Sequence, residues 1–237
     1  MATSGQTIST TTRDNIITAA LRSLVVLGEG QTPSAAQLTE GNRFLNNIVA
    51  EFRTLGMQAF ARTETFVTLV TSQDSYVIGV GQATNIPYPM YIYDIQVQQP
   101  PFDTEILMNQ MAVYDFNMLP PGSNGVPVNY NYQVQTNLGT LRIWPTPDAS
   151  VTAGTRMRLT YQRPIEIFVA AGDEMDFPME WANALIFALA LVWSDSYGVP
   201  EAKKGWLEKQ ADKHVATAAS TTNEQGSMFF KPAWEGY

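Results

Sequence analysis

The period of the apolar residues changes twice along this chain, and that change constrains the fold more than any single motif. From about residue 12 to 60, and again from 178 to 218, apolar side chains recur every three to four residues; between about 62 and 170 they recur every second residue. The first spacing makes a stripe on a helix and the second makes one face of a strand. A chain helical at both ends and β in the middle predicts an α+β fold. The expected architecture is an antiparallel helical body from both chain ends, an inserted antiparallel β-sandwich or barrel domain, and an extended C-terminal arm. The expected segments are 1–61 for the N-terminal helical hairpin, 62–176 for the β domain, 177–218 for the C-terminal helices and 219–237 for the arm. At 237 residues, such a chain buries roughly 70% of its unfolded surface and needs no disulfide or metal to hold it.

Local signals refine this. Thr11 and Asp14 mark a helix start; Ile16, Ile17, Ala20, Leu21, Leu24 and Leu27 follow at helical spacing, and Gly28 is a natural stop. Ser34 and Gln37 form a capping-box pair ahead of a stripe of Leu38, Leu45, Ile48, Val49, Phe52 and Leu55. Two helices joined by a short loop predict a hairpin. Strands are expected near 63–70, 76–79, 91–97, 105–108, 130–134, 141–143 and 157–161. The turn of a β-hairpin is expected at Asn137–Gly139, and a helical turn within 110–119. Pro178 opens a third helix at a position where its missing N–H costs nothing. Trp181, Leu185, Ala188, Leu189 and Val192 line one face, and Ile186, Phe187 and Leu191 fill the rest. A helix apolar nearly all round is covered on more than one side, by other helices or by a neighbouring subunit. A fourth helix follows Pro200, with Leu207, Ala211, Val215 and Ala218 in a narrow stripe.

The last twenty residues differ from what precedes them. Residues 217–227 are small and polar, the composition of a flexible leash, and the aromatic and apolar residues Met228, Phe229, Phe230, Trp234 and Tyr237 follow. These five are the expected partner-binding residues. The leash is expected to order only on contact, because it cannot offset about 1–2 kcal/mol of backbone entropy per residue by itself.

Composition narrows the chemistry. The chain has no cysteine and one histidine, His214. Thiolate catalysis, disulfides and multi-histidine metal centres within one chain are therefore excluded. The net charge of −8 lacks the basic footprint of a general nucleic-acid binder, yet suits a conduit through which DNA slides. The longest strongly apolar run, Ala184–Trp193, is too short to span a bilayer. Met1–Thr12 has no apolar core, so a signal peptide is not expected. Asp173, Glu174, Asp176 and Glu180 make an acidic cluster that could serve glycoside hydrolysis, but acids beside a helix N-terminus have an ordinary role there. His214, near Asp212, reads as a surface or edge histidine. Gly79–Val80–Gly81 has no helix after it and is a poor phosphate cradle. Tyr88, Tyr91, Tyr93, Tyr130 and Tyr132 could form a sugar- or partner-binding strip, or be ordinary strand residues. Arg156 and Arg158 share a strand face, either solvated or paired with acids of a neighbour. No catalytic, metal or cofactor residue is assigned, no cofactor is expected, and the chain reads as a structural protein rather than an enzyme.

Taken in order, several segments resemble a known family. They are I-I-T-A-A-L-R-S-L-V-V-L-G-E-G-Q-T-P-S from Ile16, F-R-T-L-G from Phe52, Ser75–Gly79, Gly139–Pro147, Leu159–Pro164, Phe177–Leu185 and Tyr197–Gly198. Their order is similar to the head-to-tail adaptor (tail accessory factor, or head completion protein) family of short-tailed bacteriophages. The resemblance implies a ring of identical subunits, twelve in number, beneath the portal vertex. It implies a helical body with a β insertion, and a C-terminal arm reaching along the portal protein. It further implies that the ring closes the DNA-filled capsid and gives a platform to tail proteins (nozzle, fiber or spike). Packaged double-stranded DNA would pass the lumen without sequence-specific binding and without a membrane partner. The protein would be a virion component of the neck or tail, assembled in the host cytoplasm. Two other readings of the sequence are a virion-associated peptidoglycan hydrolase and a β-sandwich carbohydrate-binding module.

Overall fold

The computed structural model describes residues 11–54, 59–102, 104–149, 151 and 154–222. The fold is α+β, with five α-helices and two four-stranded sheets among the described residues. The chain divides into two compact units, Met1–Phe60 with Glu166–Tyr237, and Ala61–Ile165.

In the first unit, α1 (Arg13–Ser23), α2 (Ala35–Phe52) and α5 (Glu201–Thr222) all pack on α4 (Ala182–Ser194). Helix α2 starts as its sequence predicts: Ser34 accepts from the Gln37 N–H, and the Gln37 side chain accepts from the Ser34 N–H. Helix α1 departs from its signals. Its N-cap is Thr12, whose side chain makes no capping bond, and the helix ends at Ser23 rather than running to Gly28. The Val25 N–H donates to the Arg22 carbonyl and the Val26 N–H to Leu21, the bond pair of a Schellman motif. Val25 fills the left-handed position, at φ 64°, where glycine is usual. It is also 80% exposed.

Helix α4 is preceded by a 3-10 turn, Met179–Trp181, for which Pro178 is the N-cap, so the α-helix begins later than its proline suggests. Its fully covered side is Ala184, Leu185, Leu189, Ala190, Trp193 and Ser194, with Trp181 just ahead of them. Val192, expected on that side, is 43% exposed; the buried stripe runs through Leu185, Leu189 and Trp193, and Val192 falls beside it. Trp193 reaches α2 at Gly41. A Cβ on Gly41 would lie 2.6 Å from Trp193 Cη2 and 3.1 Å from Ile17 Cγ2, so the lack of a side chain lets the two helices approach. Aromatic contacts extend the core around Trp181, with Phe52 at 5.3 Å, Phe177 at 5.5 Å and Phe60 at 6.3 Å between ring centroids.

The second unit holds β1 (Arg62–Thr68), β2 (Ser75–Ile78), β3 (Tyr91–Gln99), β4 (Thr104–Leu107), β5 (Asn109–Gln110), α3 (Val113–Asn117), β6 (Asn129–Gln135), β7 (Leu138–Trp144) and β8 (Arg156–Gln162). One sheet has the order β1-β8-β3-β4 and the other β2-β7-β6-β5. Inward residues of both sheets, among them Val67, Ile78, Ile95, Val97, Tyr130, Leu141, Met157 and Leu159, join one apolar cluster. The first sheet is antiparallel throughout. The second is mixed: β5 pairs parallel with β6, where the alternation predicts antiparallel neighbours only. The chain steps from β4 to β5 through Met108 alone, whose N–H still donates to Ile95 of the first sheet, and it reaches the second sheet already running in the β6 direction.

The β6–β7 hairpin turns at Thr136–Asn137, with Asn137 at φ 65° and Gln135 opposite Leu138. The expected Asn137–Gly139 turn is thus shifted, and Gly139 is a paired strand residue. The ring of Tyr132 lies over it, so close that a Cβ would sit 2.0 Å from the phenol oxygen. That hydroxyl donates to the Pro89 carbonyl at 2.6 Å. A bulge between Ile92 and Asp94 interrupts β3.

Replacing Gly41 with Ala is expected to destabilise the protein. Overpacking costs typically 1–3 kcal/mol, which exceeds the roughly 1 kcal/mol gained from helix propensity, because the fully buried Trp193 ring has nowhere to move. A chemical-denaturation midpoint no lower than that of the parent would refute this. Burial pushes the hydroxyls of Tyr76, Tyr130, Tyr132 and Tyr161 up, Tyr130 to about 12 with a further contribution from Asp94. A raised acid gives stability that is complete below the unfolded tyrosine value of 10.0 and is lost as pH rises through the folded value. The β unit is therefore expected to lose its circular-dichroism signal above about pH 10, together with a cooperative rise in tyrosinate absorbance; gradual tyrosinate titration in an intact sheet would contradict it.

Candidate functional site

The acidic segment expected near the third helix is a set of loop fastenings. Asp173 accepts from the N–H groups of Val169 and Ala170, both at 2.6 Å. Its carbonyl takes the Arg13 N–H at 2.9 Å. The Met175 N–H donates to Thr11, and Thr12 bridges Glu174. Asp176 accepts from the Glu166 N–H at 2.9 Å. Asn46 of α2 holds the same loop from the other end, its amide donating to the Phe168 carbonyl and accepting from the Phe168 N–H, each at 2.9 Å. The two backbone N–H groups, helped by the charge of Arg13, hold the Asp173 carboxyl below the usual carboxylate value. A general acid of a glycosidase needs the opposite shift. Glu180 lies in the 3-10 turn before α4, exposed.

His214 lies on α5, half-buried. Its ring stacks on Phe187 of α4, with centroids 5.1 Å apart and planes within 1°. Trp206 meets the same Phe187 edge-on at 5.8 Å. The Gly79–Val80–Gly81 turn is closed by its own chain: the Gly81 N–H donates to Asn85 Oδ1, and Ile78 bridges Thr84. The amides of Gly79 and Gly81 are thus both taken by neighbouring chain, Gly79 donating to the Thr84 carbonyl.

The tyrosines separate. Tyr130 and Tyr132 join the apolar cluster, while Tyr91 is 48% exposed and stands edge-on to Tyr93 at 5.2 Å, with the Arg62 guanidinium 5.0 Å from the Tyr93 ring centre. The sugar- or partner-binding strip, one of the two readings that the alternation allows, is thus not one surface.

The solvent side of the first sheet carries its most organised polar network. Arg158 donates to Gln96 at 2.6 Å and to Glu105 at 2.7 Å, with Glu64 at 4.0 Å. Arg156 donates to Gln98 at 2.8 Å and lies over two rings, Phe66 at 3.9 Å and Phe102 at 4.4 Å. Gln98 in turn donates to Glu105. Arg158 is therefore paired within its own chain. The roles of Gln96, Gln98 and Glu105 had no sequence signal, because their partners lie more than fifty residues away on β8. Apolar side chains are also exposed on and after α3, at Val113, Tyr114 and Met118, and on the α4–α5 pair, at Val192 and Trp206. No helix among the described residues is long and apolar enough to cross a membrane. Met228, Phe229, Phe230, Trp234 and Tyr237, the expected partner-binding residues, lie outside the described residues.

The family model of the SU10 adaptor protein matches residues 11–227. The match covers nearly the whole chain, so the chain belongs to this family of phage head-to-tail adaptors. No curated protein matches it.

The Asp173→Asn variant is expected to melt at a lower temperature at neutral pH. A depressed carboxyl gives stability that is present above the unfolded value of 3.8 and is lost as pH falls through the folded value. The variant's deficit is therefore expected to shrink toward acid. Melts recorded from about pH 2 to 7 check this, and a deficit that stays constant through the acid range would show that the carboxylate charge is not what fastens the loop.

Proposed function

We propose that this adaptor-family chain forms the head-to-tail adaptor ring of a bacteriophage virion, binds the portal protein, and closes the DNA-filled capsid. In this reading the ring also gives a platform to tail components, whether nozzle, fiber or spike. The family match over residues 11–227 carries the proposal. The two units, one from both chain ends and one from the middle, fit a helical body with an inserted β-sandwich domain.

Three further features support the reading. The net charge of −8 favours a lumen that double-stranded DNA crosses without sticking, since phosphate binding needs clustered Lys and Arg. The exposed Trp206 and Val192 beside α4 give apolar surface that a neighbouring copy in a ring of twelve would cover. The aromatic residues Phe229, Phe230, Trp234 and Tyr237, with Met228, are proposed as the residues that dock on portal, because each aromatic side chain buries about 150–250 Å². The role in this reading is structural: Asp173 and Asp176, two of the four acids that a hydrolase reading would use, accept backbone N–H bonds that fasten the 166–176 loop. Assembly is proposed to take place in the host cytoplasm, with the finished protein in the neck of the virion.

Deleting Met228–Tyr237 is expected to leave a folded protein that no longer joins portal rings. Electron microscopy of portal mixed with the parent or the truncated chain checks this. Normal decoration of portal by the truncated chain would place the dock elsewhere, and failure of the parent to form rings on portal would overturn the ring itself.

A further inference from the structure

We propose that the first sheet is continued from one copy of the chain to the next, β4 of one pairing antiparallel with β1 of its neighbour; this rests on the ring reading above. The order β1-β8-β3-β4, with every pair antiparallel, leaves β1 and β4 as edges that run in opposite directions. Copies related by rotation about an axis along the strands would therefore set β4 beside the next β1 in antiparallel orientation. This is a heterologous contact of the kind that closes rings. The second sheet lacks this property. Its edges β2 and β5 run the same way, since β5 is parallel to β6 and β6 and β2 are each antiparallel to β7.

Register follows from the same symmetry. Residues align across the sheet in rows: Phe66, Arg158, Gln96 and Leu107 in one, and Thr68, Arg156, Gln98 and Glu105 in the next. A ring has no rise from copy to copy, so strands along its axis must meet row to row. Leu107 then faces Phe66 of the neighbour, Ile106 faces Val67, and Glu105 faces Thr68. That register also matches the chemistry. Phe66 and Leu107 are exposed apolar side chains, at 50% and 59%, and each would cover the other. Arg156 has a neutral amide and two rings as partners, and no carboxylate among the described residues. The neighbour's Glu105, opposite Thr68, would bring it one. Shifting the strands by four residues would instead set Glu105 against Glu64, a like-charge pair. An exposed β edge with such residues is a template for another strand, and the partner that fits it here is a second copy of this chain.

The absence of cysteine makes the test clean. In an antiparallel pair, facing Cα atoms lie about 4.5–5.5 Å apart, within disulfide reach. The full-length double variant F66C/L107C, assembled on portal and treated with a mild thiol oxidant, is expected to run as a ladder of covalent multimers on a non-reducing gel. Each single variant is expected to give no more than a dimer. The pair T68C/E105C is the second arm should the first fold poorly, and Leu107→Lys, at an exposed position, is expected to weaken assembly while leaving the monomer folded. Rings seen by microscopy without a ladder from either pair would overturn the strand pairing and leave the ring reading standing. Failure of the parent chain to form any ring would overturn both.

Discussion

The contact between Trp193 and Gly41 is what the helical unit depends on. The indole is fully buried, and α2 passes it at a distance that only a residue without a side chain permits. Around that contact α4 has α1, α2 and α5 against it, and its buried side can be apolar along its whole length without aggregating. Removing a large side chain here would leave a cavity, and adding a methyl at Gly41 would force the helices apart. Close-packed interiors tolerate neither well.

The β unit is held by a different device. Its two sheets share one apolar cluster, but several of the largest inward residues are tyrosines, whose hydroxyls need partners. Tyr76 accepts from the Val70 N–H at 3.0 Å and Tyr132 donates to Pro89 at 2.6 Å. These bonds tie the core to loops, so the loops are positioned by the cluster as much as by their own turns. The face turned away from the cluster is also ordered. Arginines of β8 lie across the strands, fixed by glutamines and a glutamate on β3 and β4 and by rings on either side. Order of that kind on a solvent-facing sheet suits a surface that meets another protein, because little side-chain entropy remains to be lost on contact.

The candidate site was legible only in part. The acidic run from Asp173 to Glu180 is visible in any reading of the sequence. That Asp173 holds two backbone N–H groups and Asp176 a third is visible only once the chain has turned back on itself. The same applies to His214, whose stacking partner Phe187 sits on a different helix. Periodicity puts Val192 on the wrong side because a helix that is apolar on most sides gives it no contrast to work with. Gly28 and Gly139 mislead for a simpler reason. Glycine is the usual residue for a left-handed position, but Val25 and Asn137 occupy the ones used here, and the glycines lie a few residues further on.

By itself the sequence determined the class of the fold and the order of its helices and longer strands; the short β5 had no signal. Apolar periodicity is a local property, read within a few residues, and it distinguishes helix from strand wherever one face is buried and the other is wet. It also determined which chemistry is out of reach, since a chain without cysteine and with one histidine cannot make thiolate or multi-histidine sites. Tertiary structure alone decided which strands became edges, that β5 entered its sheet parallel, that Trp193 would meet Gly41, and which residues would line up as rows across β1, β8, β3 and β4. Each of these joins residues far apart in the chain. Their pairing follows from how whole elements pack, and no local pattern of residues encodes it.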